Sequence, residues 1–539
     1  MVDATMRNAG SPRSAARRLP IGAGAILLLG FLSPAAAQEW PRTAPERTDY
    51  RETTRHADVV SFLEEVAARS PLIRLDTMGY TMEGRVIPLA IVGSPLPASA
   101  DAARASGRLV VYLQGNIHGG EVEGKESLLM VLRAIATGEH ADWLGSMVLL
   151  VAPVYNADGN ERVRLTNRPA QHGPVGGMGQ RPNAQELDLN RDHTKLESPE
   201  ARSLAGMMAE WDPWVSMDLH TTNGTRHAYH LTYSPPLHPN THPAIVALLR
   251  ERWLPDVTGT IRDEDGWHFY YYGNLQGQGE ERGWYTFDHR PRFNNNYIGL
   301  RNRIAILSEA YSYATFAERI AATSRFVEEV LDWAHAHVPE IRAAVAEAEG
   351  ASIVGRELAV RAEFELTAPR VEILMGDVAQ ERNPYSGAVM LRRLDVVRPD
   401  TMPEYGTFRA TVTETVPAAY VVPASLDDVI ARLEAHGVAV APLEAEATMR
   451  LERFRLDTTF VAAREFQGHR ERTIEGEWES AAPRTVPAGA VVVRMDQPLA
   501  RLIFTLLEPR SDDGFAAWNA LDRALEGERV YPVLRVPAG

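Results

Sequence analysis

Short apolar runs separated by helix-like segments are the feature that most limits the fold of this chain. Runs that are apolar throughout are typical of strands covered on both faces, and their alternation with helices indicates a mostly parallel sheet. We therefore predict an α/β fold, with a first helix from His56 to Arg69 and a long helical region from Thr315 to Glu349. The predicted strands are Val86 to Val92, Leu109 to Leu113, Met147 to Val154, Trp214 to Leu219 and Ile304 to Leu307.

Beyond Gly350 the pattern changes to short β-rich runs with Pro and Gly between them. A chain of 539 residues is too long for one ordinary core, so two domains are expected. We predict a catalytic-type α/β domain over residues 38–349 and a β-rich α+β domain over residues 350–539, in which no motif indicates a role. Its predicted elements are strands at Ala359 to Phe364, Arg409 to Val412, Ala419 to Val422 and Ala490 to Val493, and helices at Leu426 to His436 and Gly514 to Leu525.

Residues 1–37 have the composition of a secretory signal. Four arginines precede the apolar stretch Ile21 to Leu32, and Ala35-Ala36-Ala37 follows it, which predicts cleavage before Gln38. The alternative is a membrane anchor, but about a dozen apolar residues are too few to span roughly 30 Å of hydrocarbon. We therefore expect a periplasmic or extracellular protein without stable membrane insertion. The pair Arg17-Arg18 leaves general secretion and twin-arginine export both open.

Composition excludes several classes of function. The chain has no cysteine, which rules out disulfides, thiol nucleophiles and Cys-ligated metals. Its formal net charge of −15 argues against a nucleic-acid binder, which needs a basic surface for the phosphates. A metal site in this chain has to be built from His, Asp and Glu, and these ligands suit zinc.

Metal-ligand spacing occurs directly after the second predicted strand, in Gln114-Gly-Asn-Ile-His118-Gly-Gly-Glu121. A His and a Glu three residues apart on a Gly-rich turn can direct an imidazole and a carboxylate to one ion. His220 ends another predicted strand, and open α/β sheets place their active sites at strand ends. Two His and one Glu leave the fourth position of tetrahedral zinc open, which is the catalytic arrangement.

Further candidates lie at strand ends and in the loops between the ligands. Glu309 ends the last predicted strand and is the candidate general base. The loop Asp188-Leu-Asn190-Arg191-Asp192-His193 offers a planar donor fork for a carboxylate. Asn156-Ala-Asp158-Gly159 is followed by Arg162, Arg164 and Arg168, of which any could bind an anion or stabilise an oxyanion.

The order of these motifs resembles the zinc carboxypeptidase family of the carboxypeptidase A type, over roughly residues 48–340. The shared pattern is H-x-x-E, N-x-D-G, D-L-N-R, a strand-end His and a strand-end Glu. The resemblance implies an α/β/α sandwich with a mixed, mostly parallel eight-stranded sheet and one Zn²⁺ per chain. It also implies a role for each matched residue: His118, Glu121 and His220 as metal ligands, Glu309 as catalytic base, Arg168 as catalytic oxyanion donor, and Asn190, Arg191 and Tyr297 in substrate binding.

Two departures from the family pattern affect the substrate pocket. Asp192-His193 follows Asn190-Arg191 where the family has a second Asn, which changes the charge beside the predicted carboxylate pocket. Tyr297 lies only twelve residues before Glu309, which is closer than usual, and Tyr285 is the other candidate for the substrate tyrosine.

The resulting hypothesis is a secreted zinc carboxypeptidase. It would hydrolyse the C-terminal bond of peptides with a free C-terminus by Glu-assisted attack of a zinc-bound water. The alternative is a zinc-dependent deacylase or amidohydrolase of N-acyl amino acids on the same fold. A third hypothesis is a catalytically inactive binding protein, which the intact set of ligands and base disfavours. The preferred terminal residue stays open.

Overall fold

A computed structural model describes residues 39–222 and 224–539 of the chain. The predicted secretory signal at residues 1–37 lies outside the described residues. Within the described residues, none of the helices combines the length and the apolarity that crossing a lipid bilayer requires. Residues 41–539 pack together as one unit.

The described residues contain strands and helices in alternation up to residue 350, and mainly strands after it. The strands are β1 Ile73–Tyr80, β2 Val86–Val92, β3 Leu109–Gly115, β4 Met147–Ala152, β5 Val215–Thr221, β6 Leu231–Ser234, β7 Phe269–Tyr271, β8 Asn274–Gln276, β9 Gly283–Tyr285, β10 Ile304–Ala310, β11 Glu357–Glu365, β12 Ala368–Met375, β13 Val378–Arg382, β14 Val389–Arg393, β15 Arg398–Tyr405, β16 Thr407–Thr415, β17 Ala419–Val422, β18 Ala441–Pro442, β19 Ala447–Val461, β20 Arg472–Val486, β21 Val491–Arg494 and β22 Leu534–Val536.

The α-helices cover the sheets and connect the parallel strands. They are α1 Ala44–Thr48, α2 His56–Arg69, α3 Ala100–Ala105, α4 Glu123–Thr137, α5 Trp143–Ser146, α6 Ala157–Glu161, α7 Pro199–Trp211, α8 Pro243–Ala247, α9 Leu254–Asp265, α10 Asn294–Leu300, α11 Phe316–Ala336, α12 Val338–Gly350, α13 Asp427–Ala435, α14 Ala500–Leu507 and α15 Asp522–Leu525. Short 3₁₀ turns lie at Leu189–Arg191 and Gly279–Glu281, and a π-helical stretch lies at Leu248–Trp253.

The main sheet has eight strands in the order β1-β2-β4-β3-β5-β10-β6-β7. The central strands β4, β3, β5 and β10 run parallel, whereas β1, β2 and β4 pair antiparallel and β6 runs antiparallel to β10. All residues of β3, β4 and β5 are buried, as expected for strands covered on both faces. The prediction of a mixed, mostly parallel eight-stranded sheet is thus confirmed.

The boundaries of helices and strands agree with the predicted ones where the sequence has a clear apolar run or a clear helical periodicity of apolar residues. Helix α2 and strand β2 lie where they were predicted. The predicted helix over residues 315–349 is two helices, which separate at His337 because Pro339 has no N–H to continue the first. Most of the predicted helix over residues 514–525 consists of turns, and only α15 is helical.

Residues after 350 form a β-rich region, which confirms that part of the predicted fold class. This region shares a sheet with the preceding part, because β9 pairs parallel with β15. One apolar core also contains residues of both parts, such as Tyr297 and Leu300 together with Phe504 and Phe515. The division at residue 350 remains a prediction about sequence organisation.

Candidate metal centre

Two histidines and a glutamate meet at the edge of the main sheet where β3 and β5 have their carboxyl ends. His118 and Glu121 lie in the loop after β3, and His220 lies on β5. Nδ1 of His118 is 2.9 Å from Oε1 of Glu121, and Nδ1 of His220 is 2.8 Å from Oε2. Each residue is 3% exposed. One ligand atom from each lies within 4.8 Å of the others, so the three can share a metal ion. These three residues are called the metal centre below.

The loop between the two first ligands is shaped by close backbone contacts. A Cβ on Gly119 would lie 2.3 Å from the carbonyl carbon of Gly159, and one on Gly120 would lie 2.5 Å from the carbonyl oxygen of Gly179. The sequence suggested that these glycines let the backbone turn. In the structure neither has a φ in the left-handed region, so what they supply is space. A larger residue at either position would push the ligand loop away from its neighbours.

Two aspartates orient the imidazoles of the metal centre. Nε2 of His118 lies 3.1 Å from Oδ1 of Asp188, and Nε2 of His220 lies 2.8 Å from Oδ2 of Asp218. When Nε2–H donates to a carboxylate, the lone pair is left on Nδ1, which in both histidines faces Glu121. Asp218 lies on β5, two residues before His220. Asp188 had been noted only as part of the D-L-N-R motif.

The charges around Glu121 match the binding of a cation. Burial by itself raises the pKa of Glu121, but His118, Arg168 and His220 outweigh it and hold that pKa well below its usual range. The carboxylate is therefore ionised next to two imidazole nitrogens that are aimed at it. Two nitrogens and one ionised oxygen, with no sulfur, form a donor set that zinc accepts. The residues present fit a zinc ion.

Glu309 lies beside the metal centre on the neighbouring strand. It is the register partner of His220 in the parallel pair β5 and β10. Burial raises the pKa of Glu309 to about 8, with the negative charge of Glu121 acting in the same direction and His220 opposing both. Its Oε2 is buried and has no hydrogen-bond partner within the described part of the chain. The carboxyl group is therefore free to exchange a proton with a ligand.

Two arginines border the metal centre. Arg168, predicted from the sequence, donates from Nη2 to Oε1 of Glu121 at 2.5 Å. Arg181 was not predicted: it pairs with Asp188 at 2.9 Å, and its Nη1 lies 3.9 Å from Glu121. No local pattern marks Arg181, since its loop only becomes part of the site in the folded chain. Arg162 instead pairs with Glu83 at 2.7 Å.

Asn190 and Arg191 lie in the 3₁₀ turn that follows Asp188. Oδ1 of Asn190 accepts a hydrogen bond of 2.8 Å from the backbone N–H of Asn294. The guanidinium of Arg191 lies over the ring of Phe293, with its carbon 3.8 Å from the ring centroid, and Nη1 lies 4.0 Å from Asp188. Burial lowers the pKa of Arg191, and Asp188 offsets this only in part. A bound anion would compensate for this burial of positive charge, so the position favours an anionic ligand. These two residues are called the carboxylate subsite below.

The charge introduced by Asp192 is neutralised locally. Its side chain is fully buried and accepts hydrogen bonds from the backbone N–H and the hydroxyl of Ser198, at 2.8 and 2.7 Å. Nζ of Lys195 lies 3.3 Å away. Asp192, the departure from the family pattern, therefore stabilises the loop. Because Ser198 and Lys195 compensate its negative charge, that charge has little effect on the carboxylate subsite.

Tyr297 lies in the core, and its role in substrate binding stays a prediction. The residue is 1% exposed, and its hydroxyl hydrogen-bonds Nδ1 of His436 at 2.9 Å and Nη1 of Arg301 at 3.1 Å. Its hydroxyl is thus committed to internal partners. The other candidate, Tyr285, stacks on Tyr405 with ring centroids 4.2 Å apart. A nearer phenol, which the sequence did not indicate, is Tyr272; burial raises its pKa, and Glu309 and Glu121 add to the shift.

A cleft of about 540 Å³ opens beside the two arginines of the site. It is lined by Arg168, Arg181 and Tyr313, together with apolar residues of the 169–182 loop. The two arginines connect this cleft to the metal centre, because both lie within 4 Å of Glu121.

Comparison with known proteins finds similarity to carboxypeptidases. Residues 59–225 match the family model described as zinc carboxypeptidase. Carboxypeptidase 2 of Trichophyton tonsurans is 25% identical over 509 residues, covering 90% of this chain and 86% of its own length. Carboxypeptidase D of Mus musculus is 34% identical over 146 residues, covering 24% of this chain and 10% of its own length. The solved structure of a metallo-carboxypeptidase from Pseudomonas aeruginosa aligns with a TM-score of 0.37 at 19% identity, over 53% of this chain and 69% of that one.

Proposed function

We propose that this chain is a zinc-dependent hydrolase that removes the C-terminal residue of peptides, and the match of residues 59–225 to the zinc carboxypeptidase family model supports this. The observation that carries the proposal is the convergence of two imidazole Nδ1 atoms and the Glu121 carboxylate, with Glu309 on the adjacent strand. Such a donor set with a free carboxyl group beside it is the arrangement that metal-assisted hydrolysis needs.

The metal centre would hold one Zn²⁺ per chain through Nδ1 of His118, Nδ1 of His220 and the carboxylate of Glu121. When bound, zinc acts as a Lewis acid that polarises a carbonyl group and lowers the pKa of water. The residues Asp188 and Asp218 keep both imidazoles in the tautomer that leaves Nδ1 free.

Glu309 would act as the general base and acid. Its Oε2 is uncommitted, so it can accept the proton of the attacking water and return it to the leaving amine. Arg168 would donate hydrogen bonds to the oxygen of the scissile carbonyl as negative charge develops there, because its guanidinium is held beside Glu121. Arg181 borders the same cleft and adds positive charge.

The carboxylate subsite would bind the free C-terminus of the peptide. Arg191 offers a planar donor fork, and Phe293 under its guanidinium keeps the fork in one orientation. Upstream residues of the peptide would lie in the cleft lined by Arg168 and Tyr313. This arrangement makes the enzyme an exopeptidase, because binding depends on a terminal carboxylate.

We further propose that the enzyme is exported after removal of residues 1–37, and that residues 38–349 form its catalytic domain. The basic and apolar pattern of the first 37 residues supports export. An exported enzyme without cysteines cannot use disulfides, so the large apolar core has to stabilise it.

The test is a panel of peptides with free and amidated C-termini, together with N-acyl amino acids. Purified mature protein is incubated with each substrate, with and without chelator and with zinc added back, and the products are identified by mass spectrometry. We expect loss of single C-terminal residues from free peptides only, abolished by chelator and restored by zinc. Cleavage of N-acyl amino acids without peptide cleavage would favour the deacylase alternative, and no cleavage at all would overturn the proposal.

A further inference from the structure

The tip of the long β19–β20 hairpin contacts the segments that flank the carboxylate subsite. The two strands pair along their length, and residues 462–471 connect them. Within this hairpin tip, Phe466 and His469 form a bridge around Gln467 and Gly468, whose φ values are 53° and 78°. Positive φ at both central residues is the geometry of a tight type I′ turn. The side chain of Gln467 is thus projected by a well-defined turn.

Gln467 reaches the motif that carries the carboxylate subsite. Its Oε1 accepts a hydrogen bond of 2.7 Å from the backbone N–H of Asp188. Oδ1 of Asp188 in turn accepts from the backbone N–H of Asn190 at 2.9 Å, which closes the 3₁₀ turn. The bond from Gln467 therefore fixes the first residue of the turn that positions Arg191.

Two further contacts attach the hairpin tip to the segments on either side of Arg191. Nε2 of His469 lies 2.8 Å from Oε1 of Glu197, which follows the carboxylate subsite in sequence. Glu471 pairs at 2.6 Å with Arg292, the neighbour of Phe293. Because the guanidinium of Arg191 lies over Phe293, the tip holds both the segment that carries the guanidinium and the segment beneath it.

From these contacts we infer that Gln467 is a positioning residue for binding of the substrate's terminal carboxylate. The inference rests on the proposed function and gives the region after residue 350 a part in it. Gln467 makes its bond with the backbone of Asp188, while the Asp188 carboxylate keeps its own bonds to His118 and Arg181. Loss of the Gln467 bond therefore affects substrate binding more than the metal centre.

The test is the substitution Gln467→Met, which keeps the length of the side chain and removes the acceptor. We expect KM for peptides with a free C-terminus to rise about threefold to tenfold, the usual effect of one lost hydrogen bond, with kcat and zinc content within twofold of the parent. Binding of an N-acetyl amino acid to zinc-depleted protein, measured by calorimetry, should weaken by the same factor. Binding of the corresponding amide should not change.

A matched control exists in the same region of the chain. Oε1 of Gln497 accepts a 2.9 Å hydrogen bond from the backbone N–H of Ala439, away from the metal centre. Nε2 of Gln497 also donates to the carbonyls of Ala439 and Arg494, at 3.1 and 2.7 Å. Gln497→Met removes these bonds as well, so it should lower stability at least as much as Gln467→Met but leave KM unchanged. A second route is Gly468→Ala, which adds a methyl group into open space at a φ of 78° and so strains the turn itself. It should raise KM in the same direction.

The inference is overturned if folded Gln467→Met and Gly468→Ala both keep the parent KM and affinity for the N-acetyl amino acid. The same holds if Gln497→Met raises KM equally, because the effect would then be one of general stability. These outcomes are distinct from failure of the proposed function, in which the parent protein itself would release no C-terminal residue.

Discussion

The metal centre and the carboxylate subsite are linked by a single residue, Asp188, but they are held in different ways. The ligands of the metal centre lie on or just after strands of one sheet, and Asp218, two residues before His220, orients its imidazole. The carboxylate subsite lies on a 3₁₀ turn whose neighbours come from residues 293–294 and, through Gln467, from 279 positions further along the chain. The residues proposed for hydrolysis are thus positioned by the regular sheet, and those proposed for substrate binding by long-range loop contacts.

The largest effect should come from substitution of Glu309, which lies beside the metal centre and is not one of its ligands. Glu309→Gln removes the proton acceptor and keeps the shape of the side chain. Turnover should fall by about 10²–10⁴-fold while zinc stays bound, because only proton transfer is lost. Steady-state kinetics and zinc analysis check this together. Unchanged kcat in a variant that holds one zinc would remove Glu309 from the proposed mechanism.

The next effect tests how the sheet positions its ligands. Asp218→Asn keeps the side-chain volume but removes the charged acceptor for Nε2 of His220. Zinc affinity should fall about 10–100-fold, since such supporting carboxylates raise the basicity of the ligand and fix its tautomer. Competition with a chelator of known affinity measures the change. An unaltered dissociation constant would mean that the strand alone orients His220.

A third substitution separates the carboxylate subsite from the metal centre. Arg191→Ala should raise KM for free peptides about 10–100-fold, the effect of losing a hydrogen bond to a charged group, with little change in kcat or zinc content. The control is binding of an N-acetyl amino acid amide, which has no carboxylate and should be unaffected. If zinc binding were lost as well, the two sites would not be separable in the way that the contacts indicate.

The smallest effect concerns the pH dependence of stability that comes from His436, a residue of the β-rich region that hydrogen-bonds Tyr297. His436 is fully buried, and burial lowers its pKa to about 3, with Arg301 acting in the same direction. The unfolded chain, with an ordinary His pKa near 6.5, binds the proton more readily, so stability is complete above about pH 6.5 and decreases as the pH falls towards 3.

Urea unfolding of the parent and of His436→Gln at pH 7 and pH 4.5 checks this. The variant should be less stable at pH 7 by about 1–2 kcal/mol, through the lost hydrogen bond to Tyr297, and should lose less stability on acidification. Equal losses in the two proteins would show that other groups govern the acid sensitivity.

The difference between the two sites also explains what the sequence could predict. His118 and Glu121 carry a recognisable spacing, and His220 and Glu309 follow apolar runs, so the sheet edge could be inferred from local pattern. The short outer strand β7 and the buried partner of Tyr297 had no such signal. Tyr297 follows three asparagines, yet its helix is fully buried, and its hydroxyl bonds a residue more than 130 positions away.

The reasons for particular residues were harder to infer than the residues themselves. Gly119 and Gly120 were noted correctly, yet what they provide is room for neighbouring backbone, which only the folded chain reveals. Arg181 lies at the site because its loop returns to Asp188, and no periodic pattern encodes that return. Long-range pairing of charged loops is not represented in local propensity.

The contact between Gln467 and Asp188 has a consequence for the timing of synthesis. Its two residues are 279 positions apart, so the ribosome adds the second roughly 15–60 s after the first. Once His220 has been added, the nascent chain contains every ligand of the metal centre, but the turn that carries Arg191 lacks this support until residue 467 is added. The turn therefore reaches its final form only after much of the region that follows residue 350 has been synthesised.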